Sequence, residues 1–399
     1  MELRRRLEQL EQTGCLRTAV EQPAPSSALE EVVPGREIRN DSGAFYLLRR
    51  EFADNTPYGP HPLSEARAFP GRWLARFGLE QLDPGTVVFL DTETTGLSGG
   101  SGTYAFLVGL AWFDRERLVV EQLLMREHAE ERALLAYLRR ILDGCGGLVT
   151  FNGKTFDLQL LQTRFLMNRM PCCLEEIDHL DLLHPCRRLW GPALPDCRLE
   201  TLETEVLGLP RHDDTPGFLV PQLYFRFLRS GDARPLRGIA EHNRRDLLTM
   251  VGLLARMGRA LQHPMEVRSA VEDYALARLM LDTGEESLGR ALLERAVADG
   301  LPGEWRRAAC LLLASWRRRA GDRRGAAELW KKVLAEYPWD PDAVEELAKH
   351  LEHRVGDYEL ALRLIERSLQ GSRLSPTRRQ RFEHRRRRLS ERLPRSDSG

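Results

Sequence analysis

"TVVFLDTETTGL" (Thr86–Leu97) runs an apolar strand straight into two carboxylates, Asp91 and Glu93. Acid at the end of a buried strand costs several kcal/mol unless a lysine, backbone N–H groups or a cation compensates it. Residues two apart on a strand leave the same face of a sheet, so Asp91 and Glu93 project together. Two like charges side by side repel unless one is protonated or a cation stands between them. Oxygen donors of this kind suit Mg²⁺ or Mn²⁺. Alone, the pair also fits a surface strand end or a helix cap.

The flanking sequence makes the strand part of an α/β core. "YAFLVGLAWF" and "LVVEQLLM" read as second and third strands. The linking "GLSGGSGT" lacks the GK[ST] ending of a phosphate-binding loop and leads into a strand, so it reads as a hairpin connection. "EERALLAYLRRILDGC" has helical spacing with acid at its start and arginine near its end. "GLVTFN" is a short apolar strand, "FDLQLLQTRFLMNRM" an amphipathic helix, and "EHNRRDLLTMVGLLARM" a closing helix. Three antiparallel-looking strands followed by helix, strand and helix predict a mixed sheet with flanking helices.

Two further segments carry polar groups toward the same chemistry. In "VTFNGKTFDLQLL", Asn152 ends a strand, Asp157 begins a helix, and Phe156 stands between them as an apolar wedge. A first-turn acid also favours a helix by itself. In "HNRRDLL", His242 and Asp246 are four apart on a helix and share a face. An imidazole beside a carboxylate can act as a general base near neutral pH. Four carboxylates (Asp91, Glu93, Asp157, Asp246) and a histidine are the set a two-metal phosphodiesterase needs, in which two cations clamp the attacking and leaving oxygens.

"FLDTETTGL", "FNGKTFD" and "HNRRD", in this order, resemble the three exonuclease motifs of the DEDD superfamily, with its ribonuclease H-like fold. The stretch from "HLDLLHPCRRLW" through "RHDDTPGFLVPQLYF" to "HNRRDLLTM" is similar to bacterial YprB-type ribonuclease H-like proteins, some with a tetratricopeptide tail. The resemblance spans about residues 40–262. It implies ligation of two Mg²⁺ or Mn²⁺ ions by Asp91, Glu93, Asp157 and Asp246, with His242 as base, in 3′→5′ removal of nucleotides from single-stranded DNA or RNA. Thr94, Leu97, Asn152 and Phe156 are the candidate substrate contacts. One departure stands out: three residues separate His242 from Asp246, the spacing of the superfamily's tyrosine branch rather than its histidine branch. At 100° per residue this leaves the two side chains within about 40° of each other, so His242 can face the metals.

The remaining sequence sets the frame. The 399 residues suggest more than one domain. Residues 1–80, with "EQPAPSSALEEVVPG", read as a helix followed by an extended arm or linker; 81–262 as the exonuclease domain; 268–370 as tetratricopeptide-like helical repeats; and 371–399 as a disordered arginine-rich tail. The repeats rest on "TGEESLGRALLERAV", "AGDRRGAAELWKKVL" and "VGDYELALRLIERSL", starting at 283, 320 and 355, near the roughly 34-residue period of that family. They imply a protein partner. Lys+Arg and Asp+Glu are both 59, so bulk charge gives no argument for a nucleic-acid partner, although ten arginines fall after Gly371. The longest apolar run has ten residues, short of the roughly 18–20 that span a bilayer, and no membrane role is expected. "MELRRRLEQLEQ" lacks the apolar core of a secretory signal, and seven irregularly spaced cysteines read as reduced thiols rather than a zinc site, so a bacterial cytoplasmic protein is expected. Asp213 and Asp214 read as turn or cap residues; Asp181, Arg187 and Arg188 lie in a segment near the expected cleft edge. The rival readings are a non-catalytic adaptor built on the repeats and basic tail, and an endoribonuclease.

Overall fold

The computed structural model describes residues 29–75, 79, 82–96, 102–266, 269–371 and 374–393. The chain divides into two compact units, one running to Leu183 and resuming over Arg198–Gly258, the other made of His184–Cys197 and the chain from Arg259 onward.

The first unit is built on a seven-stranded mixed sheet. In chain order the strands are β1 (Arg36–Asn40), β2 (Gly43–Ala53), a two-residue ribbon β3 (Pro57–Tyr58) and β4 (His61–Pro62), then β5 (Val88–Thr94), β6 (Ala105–Asp114), β7 (Arg117–Leu124), β8 (Leu148–Thr150) and β9 (His179–Asp181). The large sheet has the order β1-β2-β7-β6-β5-β8-β9. The pairs from β1 to β5 are antiparallel, while β5–β8 and β8–β9 are parallel. Parallel neighbours need crossovers, and helices α1 (Glu131–Leu142) and α2 (Asp157–Met167) lie in those connections. Two later helices, α3 (Val220–Ser230) and α4 (Arg234–Gln262), complete the set used below.

β5, β6 and β7 are central and buried over most of their length, which is why they read as continuous apolar runs instead of alternating ones; Asp91, Thr92 and Thr94 of β5 are partly exposed. The polar exceptions are satisfied. Glu121 accepts from Arg49 at 2.6 Å and Tyr137 at 2.8 Å, and Gln122 donates to the Ala240 carbonyl at 2.7 Å and to Asn243 at 2.8 Å. α3 packs by Tyr224, whose ring stacks on Phe106 at 3.8 Å and whose hydroxyl donates to the Met125 carbonyl.

Two expectations are corrected here. Residues 36–53 are not an arm: β2 pairs with β7 from Tyr46↔Leu124 to Ala53↔Arg117 and extends the sheet. Its charged half, Arg49–Glu51, hides the strand in the sequence, but those charges pair across strands, Arg49 with Glu121 and Arg117 with Glu51. Residues 1–28, where the expected N-terminal helix falls, lie outside the described residues.

The second unit is helical: α5 (Ala270–Asp282), α6 (Glu286–Ala298), α7 (Gly303–Arg319), α8 (Arg323–Glu336), α9 (Pro341–His350), continued by a wider turn over Leu351–Val355, α10 (Tyr358–Gly371) and α11 (Pro376–Arg392). The glycines of the three similar segments, Gly284, Gly321 and Gly356, each take a left-handed conformation that turns the chain into the next helix. The second correction concerns the tail. Eight of its ten arginines lie in α11, capped by Ser375 and buried through Phe382 and Leu389, seven residues apart on one face. Arg378 pairs with Asp342, Arg381 with Glu345, and Arg385 and Arg388 with Glu352.

Candidate active site

β5 carries Asp91 and Glu93 to the C-terminal end of the central strand, beside the loop that follows β8. Asp91 is fixed from behind by Asn243, which is fully buried on α4 and donates its side-chain N–H to Asp91 Oδ2 at 2.7 Å. The other end of the same amide accepts from Gln122. This places Asn243 over β6 at Gly109, where a Cβ would stand 2.2 Å from Asn243 Oδ1, so only glycine fits.

Asp157 opens α2, and its Oδ1 accepts from the Thr92 backbone N–H at 3.1 Å and from the Thr92 hydroxyl at 2.5 Å. The loop before it turns at Asn152, in the left-handed region with φ 65°, a conformation asparagine tolerates better than most residues. Asp181 holds this turn: it accepts from the backbone N–H of Asn152 at 2.7 Å, of Lys154 at 3.2 Å and of Leu183 at 3.1 Å. Buried in that role, Asp181 is a support for the loop, while Arg187 and Arg188 belong to the other unit, Arg188 pairing with Asp282.

One face of α4 presents His242 and Asp246, with His242 Nε2 3.6 Å from Asp246 Oδ2, as the four-residue spacing requires. Two residues read from the sequence only as turn formers or passed over prove central. Asp214 accepts from His242 Nδ1, its two oxygens at 3.0 and 2.9 Å. Arg211, almost wholly buried, bridges Glu203, Asp214 and Asp246. Glu203 in turn accepts from the Tyr58 hydroxyl at 3.0 Å. Asp213, with φ 55°, is the turn residue its type suggested; its neighbour is not. No periodicity marks Arg211 or Asp214, and only the density of charge in "RHDDTPG" singles the segment out.

The carboxylates act on one another. Burial, and then the charges of Asp246, Asp157 and Glu93, push the Asp91 carboxyl well above the usual range against the Asn243 hydrogen bond. Burial pushes Glu93 up to about 8; His242 opposes this, and Asp246, Asp157 and Asp214 add to it. Burial raises Asp157 to about 6 despite the hydrogen bonds from Thr92. Burial disfavours the charged His242 ring, yet the hydrogen bond to Asp214 and the charges of Asp246 and Glu93 raise it to about 9. For Asp214 burial raises the carboxyl, and His242 and Arg211 outweigh it and hold it at about 2. Excess negative charge with oxygen donors alone fits a hard divalent cation in charge and donor type. As the side chains stand, Asp91, Asp157 and Asp246 are engaged by Asn243, Thr92 and Arg211, and among the described residues no group of three or more His, Cys, Asp or Glu side chains forms a ready metal cage.

A cleft of about 530 Å³ opens over Asp91 and Asp157 and is also lined by Thr94, Asn152 and Phe156, three of the four candidate substrate contacts. Phe156 is 59% exposed. Leu97 lies outside the described residues. No described helix is long and apolar enough to cross a membrane.

Two comparisons with known proteins agree with this architecture. The family model described as RNase_H superfamily matches residues 88–258, the span from β5 to the end of the α4 face that carries His242 and Asp246. The uncharacterized protein YprB of Bacillus subtilis (strain 168) is 35% identical over 286 residues, covering 70% of this chain and 68% of that protein. With the mixed sheet, the chain therefore belongs to the ribonuclease H superfamily, in the family that includes YprB.

Proposed function

We propose that the chain is a metal-dependent 3′→5′ exonuclease of the DEDD type acting on single-stranded nucleic-acid ends. The observation that carries this reading is the convergence of Asp91, Glu93, Asp157 and Asp246 with His242 at one end of β5, where burial and then the charges of Asp246 and Asp157 raise the proton affinity of Asp91 and Glu93. These four carboxylates would hold the cations. Two divalent ions, when bound, would supply Lewis acidity and an acidified water in a phosphodiester displacement. Asp214 fixes the His242 ring by Nδ1, leaving Nε2 as the nitrogen that exchanges a proton with water. The surrounding carboxylates keep that imidazole protonated at neutral pH, so it serves as a base only once their charge is compensated. In the cleft, exposed Phe156 offers a stacking face for a terminal base, with Thr94 and Asn152 beside it. The helical hairpins are read as a tetratricopeptide-like array that supplies a docking surface.

One observation favours a second reading, a binding adaptor with the nuclease fold as scaffold: Arg211 already compensates Asp246, one of the four carboxylates. The deciding experiment offers 5′-labelled single-stranded DNA and RNA with Mg²⁺, Mn²⁺ or EDTA, with Asp91→Ala as control. A metal-dependent ladder shortening from the 3′ end and absent from Asp91→Ala is expected. Cleavage only at internal positions would indicate an endonuclease, and binding without cleavage the adaptor. His242→Ala should lower the rate by about 10²–10⁴-fold, the usual range for removal of a general base.

A further inference from the structure

The turns between α7, α8, α9, α10 and α11 are short, so successive helices run in alternating directions. The C-terminal ends of α7, α9 and α11 and the N-terminal ends of α8 and α10 therefore share one end of the helical unit. Arginine gathers there. Residues 317–324 hold five arginines against Asp322, and residues 385–388 are four arginines in a row. Some have structural partners: Arg317 reaches Glu294 and Asp322, Arg318 reaches Glu346, and Arg385 and Arg388 both pair with buried Glu352, which fixes this half of α11 beside the Leu351–Val355 turn. Six do not. Arg319, Arg323, Arg324, Arg354, Arg386 and Arg387 are exposed, and none has an ion pair among the described residues.

Their nearness is felt by His350, whose ring lies 6.4 Å from Trp330 across α8 and α9. Burial lowers its proton affinity first, and the charges of Lys331, Arg323 and Arg354 lower it further. A solvated helix face usually mixes signs; this end sets the six unpaired arginines against exposed Asp357 and Glu391, so its outward charge is strongly positive.

We propose that this arginine-rich end of the helical unit binds the phosphate backbone of single-stranded nucleic acid. Arginine's planar fork matches a phosphate in a way a lysine's point charge does not. An acidic peptide could also meet such a surface; preference for nucleic acid rests on reading the first unit as a nuclease.

The test is fluorescence anisotropy of the full chain with 5′-fluorescein oligo-dT of about 30 nucleotides, longer than the roughly 4–16 that one nucleic-acid-binding fold covers. EDTA is present throughout, so neither cleavage nor metal contributes. Affinity is followed against salt for wild type, for Arg354→Ala/Arg386→Ala/Arg387→Ala, for Arg319→Ala/Arg323→Ala/Arg324→Ala, and for Arg278→Ala, an exposed arginine on α5, as control. Each released phosphate contact reduces the log–log salt slope by about 0.7 for single strands, so each triple variant should lose about 2 in slope and bind one to two orders of magnitude more weakly near 0.1 M salt. The control should match wild type. Unchanged slopes in both triple variants, an equal loss in the control, or competition by polyglutamate as effective as unlabelled oligo-dT would overturn the proposal. Failure of the nuclease reading is separate: it appears as no Mn²⁺-dependent cleavage of any oligonucleotide by wild type, and leaves the slope difference intact.

Discussion

Asp91 faces three other carboxylates with one hydrogen bond from Asn243 in its favour, and the balance lifts its proton affinity. An acid whose folded-state pKa lies above its unfolded value adds stability below the unfolded value and loses it as pH rises through the folded one. At neutral pH, Asp91 therefore destabilises the chain when no cation is bound. Asp91→Asn keeps an acceptor for Asn243 and removes the charge. It should abolish cleavage while raising metal-free stability, because the variant carries no charge for burial and the neighbouring carboxylates to oppose. Urea unfolding in EDTA measures this, and a destabilised Asp91→Asn would contradict the repulsion argument. His179 has the opposite sign. Burial, then the charge of Lys154, lowers its ring to about 4, and its Nε2 lies 2.8 Å from the Thr150 hydroxyl. Its ordinary value is near 6.5, so the unfolded chain binds the proton first. Stability should fall as pH drops from about 6.5 toward 4, by at most about 3 kcal/mol from this group. His179→Gln, which retains a partner for Thr150, should flatten that part of the pH–stability curve. An equally steep curve in the variant would assign the loss to other groups.

The elements legible in the sequence were those whose burial is uniform over many residues. β5, β6 and β7 announce themselves as apolar runs, and α2 and α4 bring Asp157, His242 and Asp246 with them. What stayed hidden depended on partners distant in the chain. β2 changes from apolar to charged at Arg49, and its charges make sense only beside Glu121 and Arg117. β9 has a single leucine between His179 and Asp181, so no apolar run marks it as "GLVTFN" marks the equally short β8. Arg211 and Asp214 sit in a loop, and their place beside Asp246 and His242 comes from folding alone. α11 reads as a polyelectrolyte until its two buried residues and the acids of α9 are placed against it. Its anchors make a sharp expectation: Phe382→Ala removes a fully buried ring, a change that usually costs about 3–5 kcal/mol. The loss should be local, increasing hydrogen exchange and tryptic cleavage over 376–392 while β5–β9 remain protected. Unchanged exchange along α11 would mean the ring does not hold the helix.

For the chain as a whole, net charge is zero, with 59 residues of each sign, yet the signs are segregated. Acid is concentrated around β5, and unpaired arginine at one end of the helical unit. Charge that cancels over the whole molecule but not locally is what the two proposed ligands, a cation for the first unit and phosphate for the second, have in common. For the first unit the expectation is quantitative. A ligand that binds only the folded state stabilises it by about 2.7 kcal/mol at 100 times its dissociation constant. Relief of repulsion among Asp91, Glu93 and Asp157 is the physical source of that gain. Titration with Mn²⁺ should therefore raise the unfolding midpoint of wild type and slow amide exchange in 88–94, 157–160 and 242–249. Exchange over 270–392 should stay as it was, and Asp91→Asn should respond only at much higher Mn²⁺. A midpoint indifferent to Mn²⁺ would mean that Arg211 and the buried protons already neutralise the carboxylates, which is the state an adaptor would keep. An identical response in Asp91→Asn would place the cation elsewhere on the surface.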